Sequence, residues 1–527
     1  VPSSEPPTDR PPGFIESVLA AFRSRRVASV TLLSFSSGLP LGLVWIAIPD
    51  WMRSSGVDIR IVGLFTLAQA PWTFKILWSP LMDRYVPPFW GRRRGWMAIA
   101  QIALLVLTLA LAGVGHQPET PWIVLALTFA IAFASATQDI AYDAYAVEVL
   151  RKDEQGVAVG LKTATYRAAM LAAGALSITA AAYLSWPVVC VGLALLYVPV
   201  LFVTKKAPEP SKSIAAPRTL REAVWLPFLG FLGRHRALEI LAFVFSYKLA
   251  DALSQSLLRP FLSDMGYSAV DRGAGFGLFG TASTLVGTFL GGALVPVLGL
   301  GHCLWIFGFL QIFSNLGYIL LAHSEVNRPL MYGAMGFETF TTGLGIGAFS
   351  VFLLRITQKR FSATQYALFS SLFGLPRILG GPVTGFIVHS AGWSTFFWFT
   401  IVAGIPGLLL LARFSPPGVR DPVIELETTK KRAPLSTAGL TARGLLGGLG
   451  GLVVAGVSVA ALDALEGLRD DPDAGFSLSD SVGSMLRPEG VADWLLLAGV
   501  LVFALICGLF TAAVAAARRE SGSLEET

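Results

Sequence analysis

The sequence carries too little charge to clothe a soluble surface. Asp, Glu, Lys and Arg make up 14% of it, against 54% apolar residues and a mean hydropathy of +0.64, where about 25% charged is ordinary for a soluble domain. Cysteine is scarce too: Cys190, Cys303 and Cys507 each sit inside an apolar run without CxxC or metal-ligand spacing, which predicts packed thiols and no disulfide. No Walker A loop, HExxH pair or GxSxG elbow occurs, and His116, His235, His302, His323 and His389 fall in loops or at predicted span ends. Hydrolysis of a nucleotide, a metal-assisted attack and a serine nucleophile therefore lack residues, and neither an enzyme nor a bound cofactor is expected. The short polar-in, apolar-out segments of a membrane β-barrel are also missing. No cleavage pattern precedes the first apolar run, so the polar, Pro-rich stretch Val1–Pro12 reads as a flexible tail and membrane insertion as using the first span.

What the sequence has instead is long uncharged runs, among them Met97–Gly113, Val188–Val203, Ile401–Leu411 and Trp494–Ala517. A helix needs about 20 such residues to cross about 30 Å of hydrocarbon, and only helices or closed barrels satisfy their backbone groups there. The expected fold is an all-α polytopic membrane protein. Spans are predicted at 27–49, 61–80, 96–114, 121–149, 158–182 and 187–204, then at 238–258, 273–298, 303–322, 329–354, 365–388 and 394–414, with two more at 443–462 and 493–517. The domains that follow are a cytoplasmic N-terminal tail (1–26), a six-helix bundle (27–204), a cytoplasmic linker (205–237), a second six-helix bundle (238–414), a cytoplasmic connection (415–442), an extra transmembrane hairpin (443–517) and a cytoplasmic tail (518–527). Counting Arg413 and Arg443 at span ends, 28 Lys/Arg lie on the N-terminal side of this arrangement, seven on the other side and five within spans. Both termini are thus expected in the cytoplasm. Loop 463–492, with seven acidic residues and only Arg469 and Arg487, falls on the outer face. The net charge of +6 is spread in bands between spans, so it speaks for topology and not for nucleic acid.

Charged side chains inside spans are costly and mark function or helix locking. In the fourth span Asp139 and Asp143 share a face at i,i+4, with Gln138, Tyr142 and Tyr145 adjoining. Arg167 in the fifth span lies at the depth of Asp139, so the two are expected to meet. Lys248, Asp251 and Gln255 stand at i, i+3 and i+7 in the seventh span, Glu338 in the tenth and Arg377 in the eleventh. Lys75 and Lys162 lie near span ends, from which they could snorkel to water. Arg167, Lys248 and Arg377 offer fixed positive charge to a ligand bearing carboxylates. With no nucleotide site, uphill movement would need an ion gradient, and a buried carboxylate such as Asp139 or Asp143 could carry the proton. The letters Gly275-x-Gly277-x-x-Gly280 fit a dinucleotide fingerprint, but they open an apolar run without a preceding strand, so close helix packing is expected.

The segments Phe74–Tyr85, Gly91–Trp96, Thr137–Ala144, Tyr166-Arg167, Ser246–Ala252, Phe361–Leu368 and Gly392–Phe396 resemble the AmpG-type muropeptide permeases of the major facilitator superfamily, over about residues 30–415. The resemblance implies a facilitator fold of two six-helix bundles plus a hairpin, fourteen spans in all, in the bacterial inner membrane. It implies proton-dependent import of GlcNAc-1,6-anhydroMurNAc, with or without peptide, in peptidoglycan recycling. On that reading Asp139 and Asp143 handle the proton. Gln138, Tyr142, Arg167, Lys248, Asp251, Gln255, Glu338, Arg377, Lys75, Gln69 and Trp45 are candidates for substrate contact, with Trp72 as a further sugar platform. Asp83 and Arg84 with Arg92 and Arg93 resemble the superfamily's gating loop, with Val86–Trp90 interposed. The expected partners are an anionic glycopeptide and the lipid bilayer, with no nucleic acid, and the expected state is a monomer. Two alternatives remain open at this level: a carrier of another anionic conjugate such as an acyl-CoA, and a muropeptide sensor that does not transport.

Overall fold

Every regular element among the described residues is helical. The computed structural model describes residues 23–58, 65–115, 120–209, 217, 219–232, 236–422, 436–470, 477–487 and 490–520. Ten helices among them are long and apolar enough to cross a membrane. The chain forms two compact units, Val1–Ala223 with Glu239–Val423, and Val224–Leu238 with Ile424–Thr527.

In the first unit α1 (Arg25–Ser54) runs continuously through a π segment at Leu43–Ala47. The expected second span is broken. Its described part comprises a 3-10 turn at Phe65–Gln69, α2 (Ala70–Phe74), a second 3-10 turn at Lys75–Leu77 and α3 (Ser79–Arg84). Pro71 and Pro80 explain the interruption, since neither has an N–H to donate and each ring crowds the preceding turn. There follow α4 (Arg92–Ala112), α5 (Pro121–Val149), α6 (Gln155–Leu171, extended by a π turn to Leu176 and a last turn to Ala181) and α7 (Trp186–Lys206). The stretch expected as a linker contains a helix, α8 (Leu220–Leu232), apolar but shorter than a membrane span.

The seventh expected span also breaks, between α9 (Ala237–Ser246) and α10 (Leu249–Asp264), at Tyr247-Lys248. There Tyr247 Oη donates to the Leu304 carbonyl and Lys248 turns into a polar cluster. A short helix (Ala269–Ala274) and a π turn (Gly275–Gly280) lead into α11 (Thr281–Leu298). The glycine-rich letters therefore belong to helix packing: a Cβ on Gly275 would stand 2.8 Å from Met335 Sδ. Next come α12 (Leu300–Ala322), α13 (Arg328–Ile356) and α14 (Ser362–Phe414). The last turns sharply at Gly392 (φ 78°, ψ 172°), a conformation essentially closed to residues with a Cβ.

Two apolar cores form, one around the stacked Trp51–Trp186 pair and one around Phe261, Tyr318 and Phe397. Between them α6 crosses α11 with almost no gap, since a Cβ on Gly156 would meet the Gly292 carbonyl oxygen at 2.1 Å. In the second unit α15 (Thr437–Asp470) lies against α17 (Val491–Glu520), with Gly447 against Thr511 and Gly451 against Cys507. α16 (Leu478–Met485) occupies part of the acidic loop. Leu445, Leu446, Leu449 and Val453 on α15, with Leu501, Leu505 and Leu509 on α17, are exposed, as lipid-facing side chains are.

Candidate functional site

Three polar clusters interrupt this apolar interior. The first ties together the ends of α3, α4, α5 and α14, beside Arg92, Arg93 and Arg94. Arg93 is buried and donates to Asp83 (2.6 Å), Glu148 (2.7 Å), Ser362 Oγ (2.8 Å) and the Met82 carbonyl (3.2 Å). Arg92 adds a bond to Glu148 at 3.1 Å. Asp83 in turn accepts from the Ala363 and Thr364 amides (3.3 and 2.9 Å) and from the Thr364 hydroxyl (2.7 Å). A carboxylate from α3 thus serves as the N-cap of α14, at the positive end of that helix dipole. Arg93 reaches Asp83 despite the interposed Val86–Trp90, because positive φ at Trp90 and Gly91 turns the chain back on itself. Arg84 stays outside the cluster, over the Tyr85 ring.

The second cluster centres on Asp143. Lys162 of α6 donates to it at 3.0 Å, and Lys75, from the broken second span, stands at 3.7 Å. Neither lysine snorkels: Lys75 is buried, and Lys162 also sits over the Tyr142 ring, 5.0 Å from its centroid. Asp139, one turn away, forms no ion pair among the described residues, and its Oδ1 is buried without a hydrogen-bond partner. The expected meeting of Arg167 with Asp139 does not occur. Arg167 is exposed and makes no hydrogen bond or ion pair among the described residues. Gln138 and Tyr142 are turned to α1, Gln138 donating to Ser36 (2.7 Å) and Tyr142 to the Val30 carbonyl (2.8 Å), so both fasten helices together. Trp45 and Trp72 meet edge to face with centroids 6.0 Å apart, and Gln69 is exposed at the end of its 3-10 turn.

The third cluster lies among α10, α12 and α13. Lys248 pairs with Asp251 at 2.5 Å, donates to Gln311 Oε1, and donates to the Thr342 carbonyl at 3.1 Å. Glu338 accepts from Gln255 at 3.2 Å and from Tyr318 at 3.3 Å, and the Thr342 hydroxyl stands between Glu338 and Asp251. Arg377 lies on α14, but its side chain is outside the described residues.

Outside the spans two carboxylates are held below their usual range. Asp271 is held there chiefly by the Ser268 hydroxyl, with Arg328 adding to it. For Asp421 burial acts the other way but is outweighed by the Leu300 amide and by Arg355 at 2.6 Å.

Several participants gave little signal in the sequence. Glu148 sits at a predicted span end, Ser362 and Thr364 belong to a segment that carries the resemblance but have no role assigned by it, and Gln311 and Thr342 are single polar letters in apolar runs. Lys162 was visible as an intramembrane lysine and Asp143 as an intramembrane carboxylate, but their pairing was not.

The profile described as Major Facilitator Superfamily matches residues 30–381. The anhydromuropeptide permease of Escherichia coli K12 is 41% identical over 395 residues, 75% of this chain and 80% of that protein. The chain belongs to the major facilitator superfamily, in its AmpG-type permease family. A Rickettsia felis protein named as a putative AmpG transporter is 30% identical over 74% of this chain and 96% of its own length. Among solved structures, a human organic anion transporter (TM-score 0.55, 14% identity, covering 73% of this chain and 99% of that one) shares the fold. So does a facilitator-superfamily proton:xylose symporter (TM-score 0.55, 12% identity, 76% and 98%). As a member of this permease family the chain is a multi-pass membrane transporter, and its named relatives are permeases and transporters, not enzymes.

Proposed function

We propose that this transporter imports GlcNAc-1,6-anhydroMurNAc and its peptide derivatives from periplasm to cytoplasm across the bacterial inner membrane, coupled to the proton gradient, for peptidoglycan recycling. The observation that carries the reading is 41% identity to an anhydromuropeptide permease across most of both chains. The cation set agrees with it. Arg167 is exposed and has no ion pair among the described residues, and its planar fork suits a carboxylate such as the lactyl or peptide carboxylate of a muropeptide. Lys75 and Lys162, now shared by Asp143, would supply further positive charge if a substrate carboxylate competed for them. Gln69, Gln255 and the Trp45–Trp72 pair would meet the sugars, and Arg377 would add charge from the second bundle. Gln138, Tyr142, Lys248 and Asp251 would keep the helices in place around the substrate.

On this reading the chain is a monomer of six, six and two spans with both termini cytoplasmic and no bound cofactor. The arginine-rich end is then the cytoplasmic face by the positive-inside rule. The Asp83–Arg93–Glu148 cluster then ties helices together at that face. Asp139 is the better placed of the two aspartates to take up a proton, because Asp143 already has two ammonium partners and Asp139 has an oxygen with no partner among the described residues.

The test is uptake of labelled anhydro-disaccharide into proteoliposomes with and without an inward proton gradient, beside Asp139→Asn and Arg167→Ala. Accumulation that requires the gradient, disappears in Asp139→Asn and needs at least tenfold more substrate in Arg167→Ala, the loss of about 1.4 kcal/mol or more from one charge-assisted contact, is the expected result. Saturable binding by a folded wild type without uptake would replace the transporter by a sensor. Uptake indifferent to the gradient would remove the proton coupling alone.

A further inference from the structure

The hydroxyl of Thr342 poses a proton-counting problem. Its Oγ1 lies 3.0 Å from Asp251 Oδ2 and 3.2 Å from Glu338 Oε1. A hydroxyl has one hydrogen to donate and otherwise only lone pairs. If both carboxylates were ionised, one of these contacts would set lone pair against lone pair. One carboxyl must therefore bring a hydrogen of its own.

The surroundings decide which. Asp251 Oδ2 is 2.5 Å from the Lys248 ammonium, so its negative charge is matched within the cluster. Glu338 is 1% exposed and has no ion pair among the described residues; its other neighbours, the Gln255 amide and the Tyr318 hydroxyl, are neutral donors. The charged and titratable groups that face it are Lys248 from the α9–α10 break, Asp251 from α10 and Tyr318 from α12. The side chain of Arg377, on α14, lies outside the described residues. A second bare carboxylate beside Asp251 would be a buried charge without a counter-ion, and such a group takes up a proton instead.

We infer that Glu338 is a proton-binding site of this transporter, holding its proton in the conformation seen here. The hydrogen sits on Oε1 and is donated to Thr342 Oγ1, whose own hydrogen goes to Asp251 Oδ2, with Lys248 balancing the charge. Gln255 is exposed and donates to the same Oε1, so polar access reaches the site from its side. The chain Glu338, Thr342, Asp251 also gives the proton a path: Thr342 can pass a hydrogen to Asp251 while receiving one from Glu338, and no atom is gained or lost. In a transport cycle Glu338 would release this proton when α10, which carries Asp251 and Gln255, moves away from α13. The site belongs to the second bundle and is separate from Asp139 and Asp143. Its part in transport rests on the import reading, whereas its protonation does not.

Glu338→Gln is the deciding variant, since a carboxamide keeps the shape and can still donate to Thr342 without titrating. The first measurement is the infrared carbonyl stretch of protonated carboxyls in the purified full chain near neutral pH. A band present in the wild type and missing in Glu338→Gln is expected; no such band, or one unchanged by the substitution, overturns the inference. The second is uptake of labelled anhydro-disaccharide into proteoliposomes. Glu338→Gln should lose accumulation above the external concentration while slowed downhill entry persists, and accumulation at the wild-type level would show that no coupled proton passes there. A wild type with no transport at all would defeat the import reading, and the infrared band would still decide the proton site.

Discussion

Asp143 and Asp139 differ by one helical turn and by everything around them. Asp143 faces Lys162 at 3.0 Å and Lys75 at 3.7 Å in a setting that leaves its side chain 14% exposed. Removing one partner of such a pair strands a poorly hydrated charge. Lys162→Met should therefore lower stability by about 1–3 kcal/mol, less than a fully buried pair loses because Lys75 remains. Adding Asp143→Asn should restore much of that loss in detergent thermal unfolding, and strictly additive effects would show that the pair is not coupled. Asp421 tests electrostatics at the surface. Its folded-state pKa is depressed, so the stabilisation it gives is present above the unfolded value of about 3.9 and fades as pH falls through the folded value. The unfolding temperature of the wild type should exceed that of Asp421→Asn at neutral pH, and the gap should close under acid. A constant gap would assign the difference to packing.

Helices here are placed by what their backbones can do at specific points. Both lysines that enter the polar clusters from the second and seventh spans, Lys75 and Lys248, stand where a helix is interrupted. An unbroken helix would hold each side chain to one face, and the break lets it turn toward its carboxylate. The crossing of α6 and α11 depends on the opposite property, near absence of side chain. With a Cβ at Gly156 placed 2.1 Å from the Gly292 carbonyl oxygen, Gly156→Ala must push the two helices apart. Overpacking of this kind costs about 1–3 kcal/mol, borne by the closed arrangement and not by one in which the helices separate. Spin labels in place of Lys152 and Leu298 should show a longer distance gain population by about fivefold or more in Gly156→Ala, following from that energy. An unchanged distribution would mean that α6 and α11 stay together throughout.

At the scale of the whole first unit, a polar cluster joins the ends of α3, α4 and α5 to α14. There Asp83 caps α14 while Arg93 holds both Asp83 and Glu148. Those bonds exist only when the ends of α3 and α14 are together, so they act as a latch on one conformation. Asp83→Asn keeps the size of the side chain but leaves Arg93 with one carboxylate instead of two. A buried network broken in this way loses about 3–5 kcal/mol, and labels on the ends of α5 and α14 should report a separated population absent from the wild type. Identical distributions would place the latch elsewhere, with α6 and α11 as the next candidate.

The membrane class, most of the spans and the polar letters of the sites were legible in the sequence, because hydrocarbon demands long uncharged helices and makes each intramembrane charge conspicuous. Asp139, Asp143, Lys248, Asp251 and Glu338 stood out for that reason, and the segments around them carried the family resemblance. Pairing was not legible, since a helix periodicity says which residues share a face but not which neighbour that face meets. Only the tertiary structure gave Lys162 rather than Arg167 to an aspartate, turned Gln138 and Tyr142 toward α1, and brought Glu148 and Ser362 to Arg93. The breaks at Lys75 and Lys248 and the apolar helix α8 in the stretch expected as a linker were decided at the same level. Composition fixes the solvent a chain can live in through a sum over many residues, whereas a site depends on a few side chains brought together by packing between helices far apart in sequence.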